Sequence, residues 1–351
     1  MNNIDNLFNI KPYSLNKIKK NKLFYDYLEQ LNKHHFNKCK EYKRIIKFFN
    51  KGKVDFKKNT PIPVNIFKSY KLSSITNKDI VKKLESSGTS NKGKSLIFLD
   101  KNNAYNQIKT LQILGSEFIG KKRLPMAFID KKPNLKSNLR MSAGEAARTG
   151  FSIFGINHEY LIKENGKLNK KLLKQFAEKF KNKKKIIFGF TFNIYKYLFL
   201  DNKFLKNINL KNTILIHGGG WKKLEKFKID ERKFKKELKV KYKIDKVINY
   251  YGLVEQTGSI FFECEFGFFH SSNFSDVLIK DHNLQTLNNS KQGFIQLISL
   301  LPVSYPGHNI LTEDLGVIYG SDDCKCGRKG KYFKVNGRIK EAEIRGCSDA
   351  T

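Results

Sequence analysis

The 351-residue chain has little arginine. Of its 68 basic residues only eight are arginine, at positions 44, 123, 140, 148, 232, 328, 338 and 345. Arginine is the side chain that best reads phosphates and bases through bidentate hydrogen bonds. The formal net charge of +36 therefore comes from lysine, and the sequence favours a solvated lysine surface over a dedicated nucleic-acid patch.

Long apolar runs and abundant cysteine are missing as well. No apolar run approaches the roughly 18 residues that suggest a membrane-spanning helix, and the first residues lack the apolar core of a signal peptide. We therefore predict a cytoplasmic protein without a membrane span. Five cysteines in so long a chain favour thiols, metal ligands or nucleophiles over a disulfide framework. Global disorder is excluded, because 40% of the residues are hydrophobic.

The sequence divides into a helical N-terminal part and a mixed α/β remainder. Residues 6–50 carry apolar side chains at helical spacing, which predicts two or three amphipathic helices. Pro61 and Pro63 interrupt helicity, and short apolar runs then alternate with longer helical stretches. Predicted strands lie at 95–100, 125–130, 185–192, 213–217, 246–251, 294–300 and 316–319. This alternation indicates an α/β fold with mixed sheets flanked by helices, whose ligands bind on loops at strand ends.

Residues 88–95 spell G-x-x-x-x-G-K-S, the pattern of a phosphate-binding P-loop. A P-loop follows a strand and opens a helix, whereas residues 80–85 are predicted as helix or irregular chain and residues 96–99 as a strand. The sequence therefore argues against a P-loop. Residues 86–90, Ser-Ser-Gly-Thr-Ser, could instead form a flexible loop whose N–H groups and hydroxyls wrap the phosphates of ATP. An ordinary polar turn is the simpler interpretation of this stretch alone.

Two further glycine turns follow predicted strands. Residues 250–257, Tyr-Tyr-Gly-Leu-Val-Glu-Gln-Thr, combine an aromatic ring that can stack on a purine with a carboxylate that can hold magnesium. Residues 217–220, His-Gly-Gly-Gly, are typical of a place where a ligand approaches the backbone. A core tyrosine, a solvated glutamate and a plain turn are the alternatives. Asp314 and Arg338 supply an acid and an arginine that could flank a ribose or a phosphate.

Taken together, these segments resemble the adenylate-forming superfamily, and most closely the acyl-protein synthetases of LuxE type. The resemblance covers most of the chain from about residue 61, including residues 86–90, 188–192, 217–223, 250–257 and 337–347. It implies an α/β fold like the N-terminal domain of these enzymes, without their mobile C-terminal domain and its catalytic lysine. Lys94, Lys222 or Lys340 could replace that lysine. The implied divisions are a helical segment at 1–60, a catalytic domain at 61–336 and a C-terminal tail at 337–351.

The resemblance also implies residue roles. Tyr251 would stack on adenine, Glu255 would hold Mg²⁺, and Asp314 would bind ribose hydroxyls. Arg338 would lie beside the ribose and phosphate. The other residues implied in ATP binding are Ser86, Ser87, Gly88, Thr89, Ser90, His217, Gly218, Gly219, Gly220, Tyr250 and Gly252.

A cysteine close to the end of the sequence is the implied acyl carrier. In the acyl-protein synthetases a cysteine in a terminal Arg-Gly-Cys setting holds the acyl group, which here is Cys347. A free thiol on a frayed tail is the alternative. With Cys347, the catalytic candidates are Glu255 and Lys94.

The resulting hypothesis is ATP-dependent activation of a fatty or other hydrophobic carboxylic acid as acyl-adenylate. The acyl group then moves to Cys347 as a thioester and on to a partner reductase or acyltransferase. One alternative sends the acyl group to coenzyme A or a carrier protein, and another is a lysine-rich binder of nucleic acid or anionic surfaces. The aromatic segments 188–192 and 261–269 could line an acyl pocket, with core packing as the simpler assignment.

Four soft ligands raise the question of a metal. Cys264, His270, Cys324 and Cys326 would suit a closed tetrahedral Zn²⁺ site that stabilises the fold. About 54 residues separate His270 from Cys324, and Cys-x-Cys is a weaker signal than paired Cys-x-x-Cys motifs. Structural zinc and a metal-free fold therefore both stay open at this point.

Overall fold

The structure is a computed structural model that describes residues 4–86, 93–133, 140–200, 208–220 and 229–339. The α-helices are α1 (Asp5–Phe8), α2 (Lys17–Lys38), α3 (Lys40–Phe49), α4 (Ile66–Ser69), α5 (Lys101–Ile119), α6 (Ala143–Ser152), α7 (Lys170–Lys179), α8 (Thr191–Ile194) and α9 (Glu231–Tyr242). The strands are β1 (Ile62–Pro63), β2 (Lys82–Glu85), β3 (Leu96–Leu99), β4 (Leu124–Phe128), β5 (Arg140–Ser142), β6 (Gly155–Tyr160), β7 (Lys185–Phe190), β8 (Thr213–Gly218), β9 (Lys246–Gly252), β10 (Ile260–Phe262), β11 (Phe269–His270), β12 (Ser275–Lys280), β13 (Gly293–Ser299), β14 (Asn309–Ser321) and β15 (Lys331–Arg338). A 3₁₀ turn lies at Asn77–Asp79 and a π-helical turn at Tyr195–Phe199.

A mostly parallel six-stranded sheet lies in the order β10-β9-β8-β7-β4-β6. Only β10 runs antiparallel to its neighbour. Parallel neighbours need crossover connections, which the helices between these strands supply. All six residues of β7 are buried, as expected for a strand covered on both faces. Its one lysine, Lys185, donates from Nζ to the carbonyls of Phe180 and Lys211, which compensates for its burial.

Two further sheets complete the fold. One has the order β11-β15-β14-β13-β12, with β1 added in parallel beside β14. The other is a small sheet of β3, β2 and β5. The antiparallel pair β14 and β15 is long, and Asp314 faces Arg338 at one end while Ser321 faces Lys331 at the other. This register decides which side chains meet in the site described below.

Most predicted strands are confirmed, but the segment before the P-loop pattern was predicted wrongly. Residues 82–85 form β2 rather than helix or irregular chain, because they pair with β3 and β5. The local sequence Lys-Lys-Leu-Glu gives no sign of this tertiary pairing. The pattern leads into β3 and not into a helix, as the argument against a P-loop expected, but the strand β2 before it is an element that a P-loop also has. The strands β6, β12 and β15 were not predicted, and polar residues occupy about half of their positions.

The predicted N-terminal helices are present and pack on the rest of the chain. Leu7, Phe24 and Leu28 share a hydrophobic cluster with core residues of the parallel sheet. Lys20 of α2 is buried; its Nζ donates to Ser271 Oγ at 2.9 Å and lies 3.5 Å from Asp276 Oδ1. The domain boundary at residue 60 stays a prediction. Within the described ranges, no helix is both long and apolar enough to cross a bilayer.

Stacked histidines join α2 to the residue before β14. The rings of His35 and His308 are fully buried and 4.8 Å apart. His35 Nε2 donates to the carbonyl of Pro302 at 3.0 Å, and His308 Nε2 donates to Asn32 Oδ1 at 2.7 Å. Burial and the nearby His34 lower the pKa of His308 to about 3, and burial and His308 lower the pKa of His35. Both rings are therefore neutral in the fold at neutral pH.

We predict that the free energy of unfolding falls between about pH 7.5 and about pH 5.5. An unfolded histidine titrates near 6.5 and folded His308 near 3, so the unfolded state binds more protons in this window. His308 alone accounts for a loss of roughly 1.3 kcal/mol. Urea unfolding at both pH values measures this loss of unfolding free energy. His308→Gln should reduce the change in unfolding free energy between the two pH values by that amount. The control His282→Gln, at an exposed turn, should leave this change as it is. An equal change in both variants would contradict the assignment of the effect to His308.

Candidate active site

The two predicted glycine turns lie side by side at one edge of the parallel sheet. β8 ends at Gly218, β9 ends at Gly252, and Gly218 pairs with Tyr250 in register. A Cβ atom at Gly218 would overlap the ring of Tyr250, so glycine is required for this close approach. Gly219 has a φ of +79°, in the left-handed region that favours glycine. The fold therefore brings together two turns that are about 30 residues apart in sequence.

Tyr251, Asp314 and Arg338, all implied in nucleotide binding, are joined by hydrogen bonds. The Tyr251 hydroxyl donates to Asp314 Oδ2 at 2.7 Å, and Arg338 Nε donates to Asp314 Oδ1 at 2.7 Å. Burial and the Asp314 carboxylate raise the pKa of Tyr251, so its hydroxyl keeps the proton that it donates. Each carboxylate oxygen can accept a second hydrogen bond, and ribose hydroxyls are donors of that kind.

The ring of Tyr251 is half-buried against other aromatic rings. Its centroid lies 6.0 Å from those of Phe261 and Phe269 and 6.2 Å from that of Phe333. These contacts hold the ring in place, and the residue as a whole is partly exposed. The predicted stacking of adenine on Tyr251 is compatible with this arrangement and stays a prediction.

The base of the predicted phosphate loop is closed by two serines. Ser86 N donates to the carbonyl of Ser95 at 3.1 Å, and Ser95 N donates to Ser86 Oγ at 2.9 Å. Lys94 Nζ lies 3.7 Å from Glu85 Oε2, and Arg140 also pairs with Glu85. Two cations around one carboxylate leave net positive charge beside the loop, which suits an anionic ligand. Ser87, Gly88, Thr89 and Ser90 lie outside the described residues.

Glu255, the predicted magnesium ligand, is buried at a firmly held turn. Gln256 Nε2 donates to the carbonyls of Leu297 and Gly307, and Thr257 N donates to Tyr305 Oη at 2.8 Å. These bonds fix the backbone that follows Glu255. A carboxylate is the hard oxygen ligand that Mg²⁺ prefers, so the residue type fits the predicted role.

His217 supports the glycine turn from inside the protein. Its Nδ1 lies 3.0 Å from Thr191 Oγ1, which lies 3.2 Å from the carbonyl of Gly218. The Thr191 hydroxyl donates to the carbonyl of Gly218, and its hydrogen bond with His217 Nδ1 takes the direction set by the tautomer of the ring. The imidazole is fully buried, so in this structure it holds the turn rather than offering a surface to a nucleotide.

Glu231, which no sequence motif indicated, completes this network. Its Oε1 lies 3.3 Å from His217 Nε2 and accepts from Asn249 Nδ2 at 3.2 Å. Desolvation alone would raise the pKa of Glu231, but His217 and Lys235 lower it to about 2. The residue is therefore an anion at neutral pH. Thr191 was within reach of sequence reasoning, since it lies in the 188–192 segment, but its pairing with His217 is a tertiary contact.

The four candidate metal ligands meet at one point. One ligand atom from each of Cys264, His270, Cys324 and Cys326 lies within 4.8 Å of all the others. Cys326 Sγ is 3.3 Å from His270 Nε2, and no described cysteine forms a disulfide. A tetrahedral Zn²⁺ with Zn–S bonds of about 2.3 Å places its ligand atoms about 3.5 to 4 Å apart. The residue types and their spacing fit such an ion.

This cluster lies far from the residues implied in nucleotide binding. Cys324 and Cys326 follow the end of β14 at Ser321, whereas Asp314 is seven residues earlier on the same strand. Seven residues of extended strand span about 23 Å. A metal here would join the turns at the ends of β10 and β14, which is a structural role and not a catalytic one.

An apolar cavity of about 170 Å³ adjoins the β9 turn. Tyr250, Gly252 and Leu253 form one wall, and α5 and α6 form another. The phenylalanines suggested for the acyl pocket do not line it: Phe188 and Phe261 are fully buried in hydrophobic clusters, as the core-packing assignment expected. Lys222, Lys340 and Cys347 lie outside the described residues, so their predicted roles stay predictions.

Comparisons with known proteins agree on family and fold. The family model described as acyl-protein synthetase, LuxE, matches residues 1–351. An open conformation of 2-hydroxyisobutyryl-CoA ligase with 2-HIB-AMP and CoA is similar at a TM-score of 0.69 and 11% identity, covering 94% of this chain and 77% of that one. The same ligase in its thioester-forming state, with 2-HIB-AMP and CoA, is similar at a TM-score of 0.68 and 13% identity, covering 94% of this chain and 70% of that one.

An ATP-bound RpMatB-BxBclM chimera is similar at a TM-score of 0.50 and 12% identity, covering 75% of this chain and 49% of that one. No curated protein sequence matches the chain. At these identities the likeness shows the fold alone. The fold is that of adenylate-forming ligases, as the sequence predicted.

We predict that the hydrogen bonds of the Thr191 hydroxyl to the glycine turn contribute measurably to the free energy of unfolding. Thr191→Val should cost about 1–3 kcal/mol of unfolding free energy, because His217 and the carbonyl of Gly218 would be left unpaired. Thr191→Ser should restore most of it. Thr213→Val is the matched control, since Thr213 is equally buried on β8 and its hydroxyl has no partner among the described residues. Equal losses for the two valine variants in denaturant unfolding would contradict the assignment.

Proposed function

The chain belongs to the LuxE family of acyl-protein synthetases, and on that basis we propose that it activates a fatty or other hydrophobic carboxylic acid with ATP as an acyl-adenylate. The acyl group then passes to Cys347 as a thioester, for delivery to a partner reductase or acyltransferase. The observation that carries the proposal is the joining of Tyr251, Asp314 and Arg338 beside an apolar cavity. Such a site offers a ribose acceptor, a cation and an apolar compartment together.

The first step joins the acid to AMP. A carboxylate oxygen attacks the α-phosphorus of ATP, the new C–O–P link forms, and the bond to the β-phosphate breaks as pyrophosphate leaves. Arg338, Lys94 and Arg140 are the described cations that favour the charge developing on the phosphate oxygens. Mg²⁺, with Glu255 as its ligand, would neutralise phosphate charge.

The glycine turn gives the nucleotide access to the backbone. Gly218, Gly219 and Gly220 carry no side chains that would keep a ligand away from their amide groups. Thr191 and His217 hold the turn in one conformation before a ligand arrives. Groups oriented in advance need no rearrangement as charge develops, which is the main source of electrostatic catalysis.

The second step moves the acyl group to sulfur. The Cys347 thiolate attacks the acyl carbonyl, the thioester bond forms, and AMP leaves with the electron pair of the broken C–O bond. AMP is a far better leaving group than the oxide of a free carboxylate. Arg345, two residues away, favours the thiolate over the thiol. This step rests on the family's terminal Arg-Gly-Cys motif.

A second candidate function replaces Cys347 by coenzyme A as the acceptor. It is favoured by the likeness of the fold to 2-hydroxyisobutyryl-CoA ligase in complexes with an acyl-AMP and CoA. The two functions separate on one measurement, because consumption of coenzyme A would then not need Cys347. Family membership gives no support to the third hypothesis, a nucleic-acid binder without catalysis.

We also propose that Cys264, His270, Cys324 and Cys326 hold one structural Zn²⁺. The proposal rests on the mutual approach of the four ligand atoms. It also rests on His270 Nε2, which lies 3.3 Å from Cys326 Sγ and so faces the cysteines. Imidazole nitrogen and thiolate sulfur are the ligand atoms that Zn²⁺ takes in structural sites.

The test of acyl transfer is incubation with ATP, Mg²⁺ and a labelled hydrophobic acid. We predict a protein-bound label that hydroxylamine releases, at least about 20-fold weaker in Cys347→Ser because serine is the poorer nucleophile. ATP–pyrophosphate exchange should persist in this variant. Cys39→Ser, at a buried helix cap, is the matched control and should keep the label. A hydroxylamine-labile label surviving in Cys347→Ser would defeat the carrier role.

The zinc proposal predicts one zinc per chain by elemental analysis. Cys326→Ser should lose most of it and lower Tm by about 5 °C or more, since structural metal contributes folding free energy directly. Cys39→Ser should keep both zinc and Tm. A metal-free protein of equal stability would end this proposal without touching the catalytic one.

A further inference from the structure

We propose that the end of α3 and the turn after it dock on the surface of an anionic lipid bilayer. This docking tip comprises residues 47–54, Lys-Phe-Phe-Asn-Lys-Gly-Lys-Val. Its apolar side chains enter the headgroup region, and its lysines lie against the anionic groups of the lipids. Docking needs no step of the proposed function, because it concerns a surface and not the candidate active site.

Three large apolar side chains of the docking tip are exposed. Phe48 is 81% exposed, Phe49 40% and Val54 38%. The ring centroids of Phe48 and Phe49 are 5.8 Å apart, and neither residue belongs to a hydrophobic cluster of the described core. Single exposed apolar residues are ordinary on protein surfaces, whereas contiguous ones mark a binding surface.

The helix α3 has one face against the protein and the other in solvent. Tyr42 and Ile46, four residues apart, are buried in a hydrophobic cluster with residues of β2 and β3. The opposite face is basic, and Phe48 is the apolar residue at its end. The exposed cations of this face are Lys40, Lys43, Arg44 and Lys47. A basic face with a large apolar side chain beside it is typical of helices at membrane surfaces.

Hydrogen bonds hold the turn after α3 in one conformation. Gly52 N donates to the carbonyl of Lys47 at 2.8 Å, and Lys53 N donates to that of Asn50 at 3.0 Å. The buried Asn50 accepts from Thr60 Oγ1 at 3.1 Å. Gly52 has a φ of +82°, and no described atom lies within 4 Å of the place that its Cβ would take. The exposed rings are therefore presented by an ordered turn that faces open space, and docking requires little further ordering.

The chain returns to the protein at Phe56. Its carbonyl accepts from Asn32 Nδ2 at 2.7 Å, and its ring centroid lies 5.3 Å from that of Phe36. Both partners belong to α2, so the docking tip is fixed on either side. An aromatic side chain of this region can thus pack on the helices, whereas Phe48 stays in solvent.

The charge around the docking tip is complementary to an anionic surface. Residues 40–58 contain eight basic and two acidic side chains, a formal net charge of +6. Of the two acids, Asp55 is already engaged, since its Oδ1 accepts from Lys57 N at 2.9 Å. Lysines close to a bilayer are attracted by the negative surface potential of lipids such as phosphatidylserine, within a Debye length of about 10 Å.

A bilayer fits this surface better than a nucleic acid does. Seven of the eight cations in residues 40–58 are lysine, and arginine is the side chain that reads phosphates and bases best. Neighbouring aromatic and aliphatic side chains suit the boundary between headgroups and hydrocarbon. A lysine stem can also lie at this boundary while its ammonium reaches the lipid phosphates. Stacking on bases would use the two rings and leave Val54 without a role.

The test is co-sedimentation of the full chain with large phosphatidylcholine vesicles, with and without phosphatidylserine. We expect binding when phosphatidylserine makes up about a third of the lipid, and at least about tenfold weaker binding without it or at about 0.5 M salt. Neither ATP nor an acid is needed in this assay. No binding, or equal binding to the two kinds of vesicle, would overturn the bilayer proposal and leave the proposed function intact.

The exposed ring is tested by Phe48→Ser. This variant should bind the phosphatidylserine vesicles at least about fivefold more weakly with an unaltered Tm, because the ring is exposed in the free protein and loses its apolar contact only in the bilayer. Val240→Ser is the matched control, since Val240 is 74% exposed on α9 between Lys239 and Lys241. Equal affinities of Phe48→Ser and Val240→Ser would contradict the role of the docking tip.

The lysines are tested by a pair of charge reversals. Lys47→Glu with Lys51→Glu should weaken vesicle binding at least about tenfold. The control is Lys171→Glu with Lys174→Glu, at exposed positions of α7, which changes the net charge equally and should weaken binding far less. Equal losses would assign the binding to the lysine surface as a whole and overturn the proposal.

Two other occupants of the docking tip give different results. Tighter binding to a nucleic-acid duplex than to the vesicles, lost in Phe48→Ser, would replace the bilayer by nucleic acid. Self-association of the chain that is lost in the same variant would replace it by a second copy. Either result would overturn the bilayer proposal.

Discussion

The Asp314 carboxylate joins the two large sheets of the molecule. It lies on β14 of the antiparallel sheet and receives hydrogen bonds from Arg338 on β15 and from Tyr251 on β9 of the parallel sheet. A carboxylate so little exposed is stable only when its oxygens are paired, because unpaired buried charge is costly. The candidate site therefore exists only when the sheets are docked in this register. Folding and site formation are one event here, since no single sheet contains the site.

The turns around this junction are positioned by buried groups. Thr191 and His217 hold the glycine turn, while Gln256 and Tyr305 hold the backbone beyond Glu255. These side chains come from different strands and loops, so the precision of the site depends on the packing of the whole domain. Such preorganisation lets a site stabilise developing charge without first rearranging its own dipoles.

The sequence predicted the glycine and tyrosine turns better than it predicted the side chains that pack around them. Strong apolar runs predict β8 and β9, so the glycine and tyrosine turns could be placed at the ends of these strands. The four metal ligands could be proposed from residue type alone, although only the pairing of Phe269 with Phe333 explains how they meet. Glu231 carried no signal, because its partner His217 is a tertiary contact. Phe188 and Phe261 pack in the core, as the simpler assignment expected, because phenylalanine is abundant in this chain and mostly fills the interior.

The charge of the chain gives the acidic residues a particular importance. A net charge of +36 opposes compactness through self-repulsion, and only 32 acids are available against it. Several of these acids each serve two cations at a joint between elements. Asp276 pairs with Lys20 of α2 and Lys331 of β15, and Glu85 of β2 pairs with Lys94 and with Arg140 of β5. Because each such acid attracts two cations where elements meet, it reduces the repulsion between them, and a lysine-rich surface and an ordered site coexist in one fold.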